Sequence, residues 1–152
     1  MTTPTYNVEE FPEKFQEIID DFQQAEQNER LELLLAYSQD LPELPEEVRA
    51  RVGEMEQVVE CQTPFFLASE VEDGQVTFYY DVAMEAPTTR GYASILAHGL
   101  NGASPEDILK IPTDFYTFMG LNTVISPLRL RGVEAVINRM KRQMREYLAA
   151  SD

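Results

Sequence analysis

The stretch "VVECQTPFFLASEVEDGQVTFYYD" (residues 58–81) predicts a β-hairpin that follows a loop holding the only cysteine of the chain. Asp73 and Gly74 lie between two runs rich in aromatic and β-branched residues, and Asp-Gly adopts the positive φ angles of a tight turn at little cost. A further short strand before the cysteine would complete a three-stranded antiparallel meander. The predicted strands are 55–59, 64–71 and 75–82.

Cys61 lies at the tip of the predicted loop between the first two strands. A free cysteine is often an inert core residue, and from the residues alone the inert and the reactive interpretations are nearly balanced. The polar neighbours Glu60 and Gln62 favour a reactive thiol, although the Glu60 carboxylate disfavours a thiolate beside it. A reactive Cys61 therefore needs a cation nearby, for which the candidates are Arg90, Arg129 and Arg131 or, alternatively, a cation on a partner.

Helical patterns flank the sheet on both sides. Apolar residues spaced three and four apart from Phe11 to Phe22 predict a first helix. A second helix is predicted over 29–40, with Asn28 as N-cap and an apolar stripe of Leu31, Leu34 and Leu35. The helices predicted after the sheet cover 90–100, 104–109, 113–120 and 127–149.

This order of elements predicts an α+β fold in which the helices pack on one face of the sheet. A chain of 152 residues is typical of one domain. Residues 1–7 are polar and are expected to be loose. No internal repeat or low-complexity segment indicates a domain boundary.

The charge balance excludes some classes of partner. The chain has 27 acidic and 12 basic residues, a formal net charge of −15, which argues against nucleic-acid binding. It contains no apolar run of the roughly 18 residues that a membrane-spanning helix needs, and no basic-then-apolar leader. A single cysteine fits a reducing compartment. We therefore expect a cytoplasmic protein that does not enter a membrane.

The remaining residues offer little other chemistry. One cysteine and one histidine, His98, cannot complete a zinc or iron–sulfur site, and no phosphate- or dinucleotide-binding motif is present. His98 falls late in a predicted helix, where a surface or capping role is more typical than catalysis. Six of the 12 basic residues lie between Arg129 and Arg145. They predict a solvated basic helix against an acidic one or, alternatively, a docking face for an acidic partner.

Five segments in order resemble the SufE family of sulfur-acceptor proteins. The specific part is the Cys-Gln pair at the start of an apolar strand, followed much later by "SP-x-R-x-x-G" at the start of the last helix. The resemblance covers about residues 12–148. The segments are "LLLAYSQDLPELPEE" (33–47), "VVECQTPFFL" (58–67), "APTTRGYASIL" (86–96), "SPEDIL" (104–109) and "SPLRLRGVEAVI" (126–137).

The resemblance implies a fold similar to the IscU scaffold and a function in sulfur transfer. A SufS-type cysteine desulfurase, which uses pyridoxal phosphate, holds sulfur as a persulfide. Cys61 would take the outer sulfur, stimulate that enzyme and deliver the sulfur to a SufBCD-type iron–sulfur scaffold. The chain would then be a carrier without a cofactor of its own rather than an independent enzyme. Arg129, and less strongly Arg90, match family residues that are implied to contact the desulfurase.

Two positions depart from the family pattern. Many members have glycine where this chain has Glu60, and Asp-Ala where it has Glu85 and Ala86. A glutamate in place of glycine stiffens the loop and raises the thiol pKa. Two other hypotheses stay open: a non-catalytic adaptor in which Cys61 is structural, and a thiol hydrolase that uses Cys61 and His98.

Overall fold

The computed structural model describes residues 8–151, so the predicted loose segment 1–7 lies outside the described residues. The described chain combines helices with one three-stranded antiparallel sheet, which confirms the α+β prediction. Its α-helices are Glu13–Gln24 (α1), Gln27–Gln39 (α2), Glu46–Arg49 (α3), Pro87–Leu100 (α4), Pro105–Leu109 (α5) and Pro127–Ala150 (α6). Its strands are Glu56–Gln57 (β1), Phe65–Glu72 (β2) and Gln75–Val82 (β3). Its 3-10 helices are Val8–Glu10, Val52–Glu54, Phe115–Met119 and Leu121–Thr123.

The predicted hairpin is present, with β2 paired to β3 along its whole length. The turn residues Asp73 and Gly74 have φ angles of 53° and 77°, as the Asp-Gly signal predicts. The first strand is shorter than the predicted 55–59, because beyond β1 only the amide of Val58 bonds across, to the carbonyl of Phe65 at 2.9 Å. The chain then leaves the sheet and forms the loop that carries Cys61.

One face of the hairpin forms the core. Alternate residues of β3 are buried while their neighbours are only partly covered, the period-two pattern of a sheet with one packed face. The helices α4 and α6 pack against β3 and β2 respectively, and α1 and α2 pack against α4. The buried strand residues are Phe65, Leu67, Val76, Phe78, Tyr80 and Val82.

The α2 helix differs from its prediction. Glu26, not Asn28, is the N-cap, and it exchanges side-chain and backbone hydrogen bonds with Glu29. Of the predicted stripe only Leu34 is buried, whereas Leu31 and Leu35 are 42% and 38% exposed. The helix meets α4 at Leu34, which faces Gly91, and at Tyr37, whose ring lies beside that of His98, and the leucine spacing does not reveal these contacts.

The helix ends after the sheet follow their capping signals with two exceptions. Ser104 and Ser126 accept hydrogen bonds from the amides of Asp107 and Arg129, as N-caps do. However, α4 begins at Pro87 with Ala86 as N-cap instead of a threonine. The predicted helix 113–120 is a 3-10 helix, closed by Gly120 at φ 68°.

Candidate functional site

Cys61 lies in the loop between β1 and β2, with its side chain between α4 and α6. Its amide donates to the carbonyl of Val58 at 3.2 Å, which forms the turn. The side chain is half-buried. Its Sγ lies 3.4 Å from Oη of Tyr92 on α4 and 3.8 Å from the carbonyl oxygen of Gly132 on α6. The thiol is thus held by two helices near the surface.

Gly132 makes this arrangement possible. A Cβ atom at this position would lie 3.2 Å from Cys61 Sγ, tighter than most real contacts, and 3.4 Å from Cys61 Cα. A glycine inside a helix costs about 1 kcal/mol relative to alanine, so it usually has a packing reason. This is the glycine of the "SP-x-R-x-x-G" segment, and its position inside a helix is a signal of close approach that sequence reasoning missed.

Tyr92 is held rigidly beside the sulfur. It is 2% exposed, and its ring stacks on Phe65 with centroids 6.0 Å apart and ring planes 9° apart. Sequence reasoning missed this residue, because 31 positions separate it from Cys61 and an aromatic residue in a buried helix is ordinarily a core residue.

The surroundings of Cys61 hold its thiol protonated. Burial raises the pKa of the Cys61 thiol most strongly, and the charge of Glu60 raises it further. The hydrogen bond from Tyr92 and the charge of Arg139 lower the pKa but do not fully offset the rise. Arg139 of α6 is therefore a cation that favours the thiolate, and it was not among the arginines predicted for this role.

Glu60 is fixed by ion pairs and hydrogen bonds that join β1 and the Cys61 loop to α6. The residues involved, here called the Glu60 cluster, are Glu56, Glu60, Arg139, Arg142 and Gln143. Arg139 contacts Glu60 through Nη2 at 2.9 Å and Nη1 at 3.3 Å, and Glu56 through Nε at 2.9 Å. Glu56 also accepts from Arg142 and from Gln143. Arg139 and Arg142 of the last helix thus pair with β1 and the Cys61 loop, and Arg142 also pairs with Glu146 of its own helix. Within residues 8–151 neither arginine pairs with a second, acidic helix.

The Glu60 cluster is ionised at neutral pH. The backbone amide of Glu60 and then Arg139 lower the Glu60 pKa. Burial opposes ionisation of Glu56, but hydrogen bonds from Gln143 and Arg142 and the arginine charges outweigh it, so this pKa is also lowered. The stabilisation of the folded chain by ionised Glu56 and Glu60 is therefore fully present above the ordinary glutamate pKa of about 4.3. It is lost as the pH falls through the lower pKa values that these two carboxyl groups have in the folded chain.

Replacing Glu60 by glutamine should make Cys61 more reactive. The change removes a charge that raises the thiol pKa and weakens the bond that holds the loop on α6, and both effects favour reaction. Because Glu60 is 45% exposed, the gain is modest, about threefold in the rate of alkylation near pH 7.5. Glu54→Gln, an exposed glutamate outside the Glu60 cluster, should leave the rate unchanged. Equal rates for Glu60→Gln and the wild type would contradict this account.

The predicted docking arginines have different surroundings. Arg129 is exposed in the first turn of α6. Burial raises the Tyr92 pKa most strongly, and the charge of Arg129 lowers it. Arg129 therefore lies near Tyr92 and the thiol. Within residues 8–151 Arg129 forms no ion pair, and neither does the exposed Arg131. Arg90 is half-buried and donates to the carbonyl of Val82 at 2.8 Å, tying the start of α4 to the end of β3.

His98 is not brought to the thiol. It is exposed, and its Nε2 lies 2.9 Å from the carbonyl oxygen of Asp40. The hydrogen bonds of the Cys61 sulfur go to Tyr92 and Gly132 instead. Over the part of the chain that is described, no group of three or more His, Cys, Asp or Glu side chains is arranged to hold a metal ion.

No helix within the described range 8–151 combines the length and apolar character needed to cross a membrane.

Apolar side chains are exposed on the elements that flank the thiol. Val59, two residues before Cys61, is 69% exposed, and Leu128, one turn before Gly132, is 51% exposed.

Comparison with known proteins identifies the same family by its profile and by its individual members. The profile of SufE, described as "Fe-S metabolism associated domain", matches residues 16–144. An uncharacterized SufE-like protein of Mycobacterium tuberculosis is 44% identical over 96% of this chain and 99% of its own length. The protein named cysteine desulfuration protein SufE of Plasmodium vivax is 29% identical over 66% of this chain and 39% of its own length.

A solved structure shares the fold. The solution structure of a hypothetical protein from Thermus thermophilus matches with a TM-score of 0.81 and 40% identity, over 91% of this chain and 98% of that one. Both the family resemblance and the fold class inferred from the sequence are confirmed by these matches.

Proposed function

Because the chain belongs to the SufE family, which is associated with Fe-S metabolism, we propose that it carries sulfur on Cys61. The sulfur comes from a SufS-type cysteine desulfurase, whose pyridoxal phosphate belongs to that enzyme, and goes to an iron–sulfur scaffold of the SufBCD type. By removing the persulfide the chain also stimulates the desulfurase. The observation that carries the proposal is the half-buried Cys61 sulfur, held at a loop tip between α4 and α6.

The transfer is a thiol–persulfide exchange. The Cys61 thiol first loses its proton to solvent. The thiolate then attacks the outer sulfur of the desulfurase persulfide, so that a bond forms between Cys61 Sγ and that sulfur. The bond between the two desulfurase sulfurs breaks, and the desulfurase cysteine leaves as a thiolate. No net oxidation or reduction occurs.

The lone cysteine suits this task. A second thiol nearby would attack the Cys61 persulfide and release its outer sulfur as an internal disulfide forms. With Cys61 as the only cysteine of the chain, the bound sulfur persists until an outside thiol takes it. A single free thiol fits a reducing compartment, and we therefore propose that the transfer takes place in the cytoplasm.

The surface beside Cys61 is suited to bind the desulfurase. Arg129 presents a charge without an internal ion pair in the described chain, and Val59 and Leu128 expose apolar area. Apolar contacts next to an unpaired arginine are typical of protein interfaces. Arg90 contributes less directly, since its guanidinium already supports the β3–α4 junction.

The test is the turnover of a SufS-type desulfurase, followed as alanine released from cysteine. Wild-type protein should raise the rate saturably, Cys61→Ser should give no increase, and His98→Ala should stimulate as the wild type does. Stimulation by Cys61→Ser equal to the wild type would contradict the carrier and favour the adaptor hypothesis. A loss in His98→Ala as large as that in Cys61→Ser would instead favour a thiol hydrolase that uses both residues.

A further inference from the structure

The sulfur of Cys61 lies between two oxygen atoms whose hydrogen-bonding roles can be assigned. The carbonyl of Gly132 can only accept, so it takes the S–H hydrogen of the thiol. The hydroxyl of Tyr92 is then the donor toward the sulfur. The single proton of Tyr92 is thereby directed at Cys61.

From the contact between Tyr92 Oη and Cys61 Sγ at 3.4 Å, we propose that the Tyr92 hydroxyl is a hydrogen-bond donor that stabilises the Cys61 thiolate in both halves of the transfer. This role rests on the proposed function of Cys61 as the sulfur acceptor. In the first half the bond raises the fraction of attacking thiolate. In the second half the outer sulfur is taken by an acceptor, Cys61 Sγ is the leaving group, and a stabilised thiolate leaves faster.

Tyr92 is suited to donate and unsuited to act as a base. Its pKa is raised well above the ordinary tyrosine value, first by burial and then by the charge of Cys61 and the hydrogen bond to it. Tyr92 therefore stays protonated while the thiol titrates. Because its ring is buried and stacked on Phe65, the hydroxyl is held in place before the thiolate forms.

The other groups around the thiol determine how large a rise in the Cys61 pKa the hydrogen bond from Tyr92 has to offset. Glu60, on the same loop, opposes the thiolate, and Arg139 of α6 favours it. Arg129, also on α6, acts on Tyr92 itself. Burial remains the largest obstacle to ionisation, and a hydrogen bond to a charged group is the interaction that offsets burial best.

The test is the pH dependence of Cys61 alkylation by iodoacetamide, which is neutral and needs no desulfurase. Tyr92→Phe keeps the ring and removes only the donor. The thiol pKa should rise by about one pH unit. Below the pKa the thiolate fraction then falls about tenfold, but a more basic thiolate is more nucleophilic, so the observed rate should fall about threefold.

Tyr80→Phe is the matched control. Tyr80 is also buried, but its hydroxyl faces Met140 Sδ at 4.0 Å and not Cys61. Its loss should leave the thiol pKa unchanged. An unchanged pKa in Tyr92→Phe, or an equal rise in Tyr80→Phe, would overturn the proposal.

The failure of this proposal can be told apart from that of the carrier function. The predicted pKa rise without sulfur uptake by the wild type counts against the carrier alone. Normal uptake with an unshifted pKa counts against the role of Tyr92 alone.

Discussion

Replacing Gly91 by alanine should lower the free energy of unfolding by about 2–3 kcal/mol, the upper part of the usual range for overpacking a core. The added Cβ would lie 2.6 Å from the carbonyl oxygen of Leu34 and 2.8 Å from Leu34 Cδ1. Real Cβ atoms essentially never come within 3.0 Å of another atom in this way. A backbone oxygen cannot rotate aside as a side chain can, so α2 would have to shift away from α4.

The measurement is equilibrium unfolding in urea, followed by circular dichroism. Gly91→Ala should move the midpoint to lower urea with an unchanged slope. Gly53→Ala is the control, because no atom lies within 4 Å of its Cβ position and its φ is not positive. It should be neutral or stabilise by up to about 1 kcal/mol. If both variants lost stability equally, close packing of α2 on α4 would not be the cause.

Replacing Arg129 by glutamate should weaken the binding of the desulfurase by about tenfold or more, since like charges facing each other across an interface cost several kcal/mol. Arg129 is exposed, and its guanidinium has no ion-pair partner elsewhere in the described chain, 8–151. Ser126 caps its amide, which fixes where the side chain begins. The change should leave the unfolding midpoint near that of the wild type, because the side chain is exposed and forms no ion pair within residues 8–151.

The affinity is measured as the concentration of this protein that gives half-maximal desulfurase turnover. Arg145→Glu supplies the control, with the same charge change at another exposed position of the same helix. It lies about 24 Å further along α6, at 1.5 Å per residue. An equal loss for both variants would indicate general charge repulsion, and no loss for Arg129→Glu would remove this residue from the interface.

Much of the fold was predictable because its signals are local. The Asp-Gly turn, the serine N-caps and the two-residue alternation of β3 each depend on neighbours in sequence. The α2 helix shows where local signals fail. Its burial depends on the close approach of α4 at Gly91, some 57 positions after Leu34, and its own leucine spacing does not contain that contact. The single-domain prediction for the whole chain stays a prediction.

The candidate site was predictable only at its centre. Cys61 is unmistakable as the sole cysteine, but its partners Tyr92 and Gly132 lie 31 and 71 positions away. The need for a nearby cation was predicted, but Arg139 was not among the arginines named for it. Once Gly132 is known to face the thiol loop, helical periodicity places Arg139, seven residues later, on the same side of α6. That orientation became known only from tertiary structure.

Sulfur carriage by Cys61 is tested most directly by the intact mass of the protein after incubation with a SufS-type desulfurase, pyridoxal phosphate and free cysteine. Wild-type protein should gain the mass of one sulfur atom, and a reductant should remove it. Cys61→Ser, treated identically, should keep its original mass. Wild-type protein that gains no sulfur from an active desulfurase of its own organism, or a gain that persists in Cys61→Ser, would contradict the account.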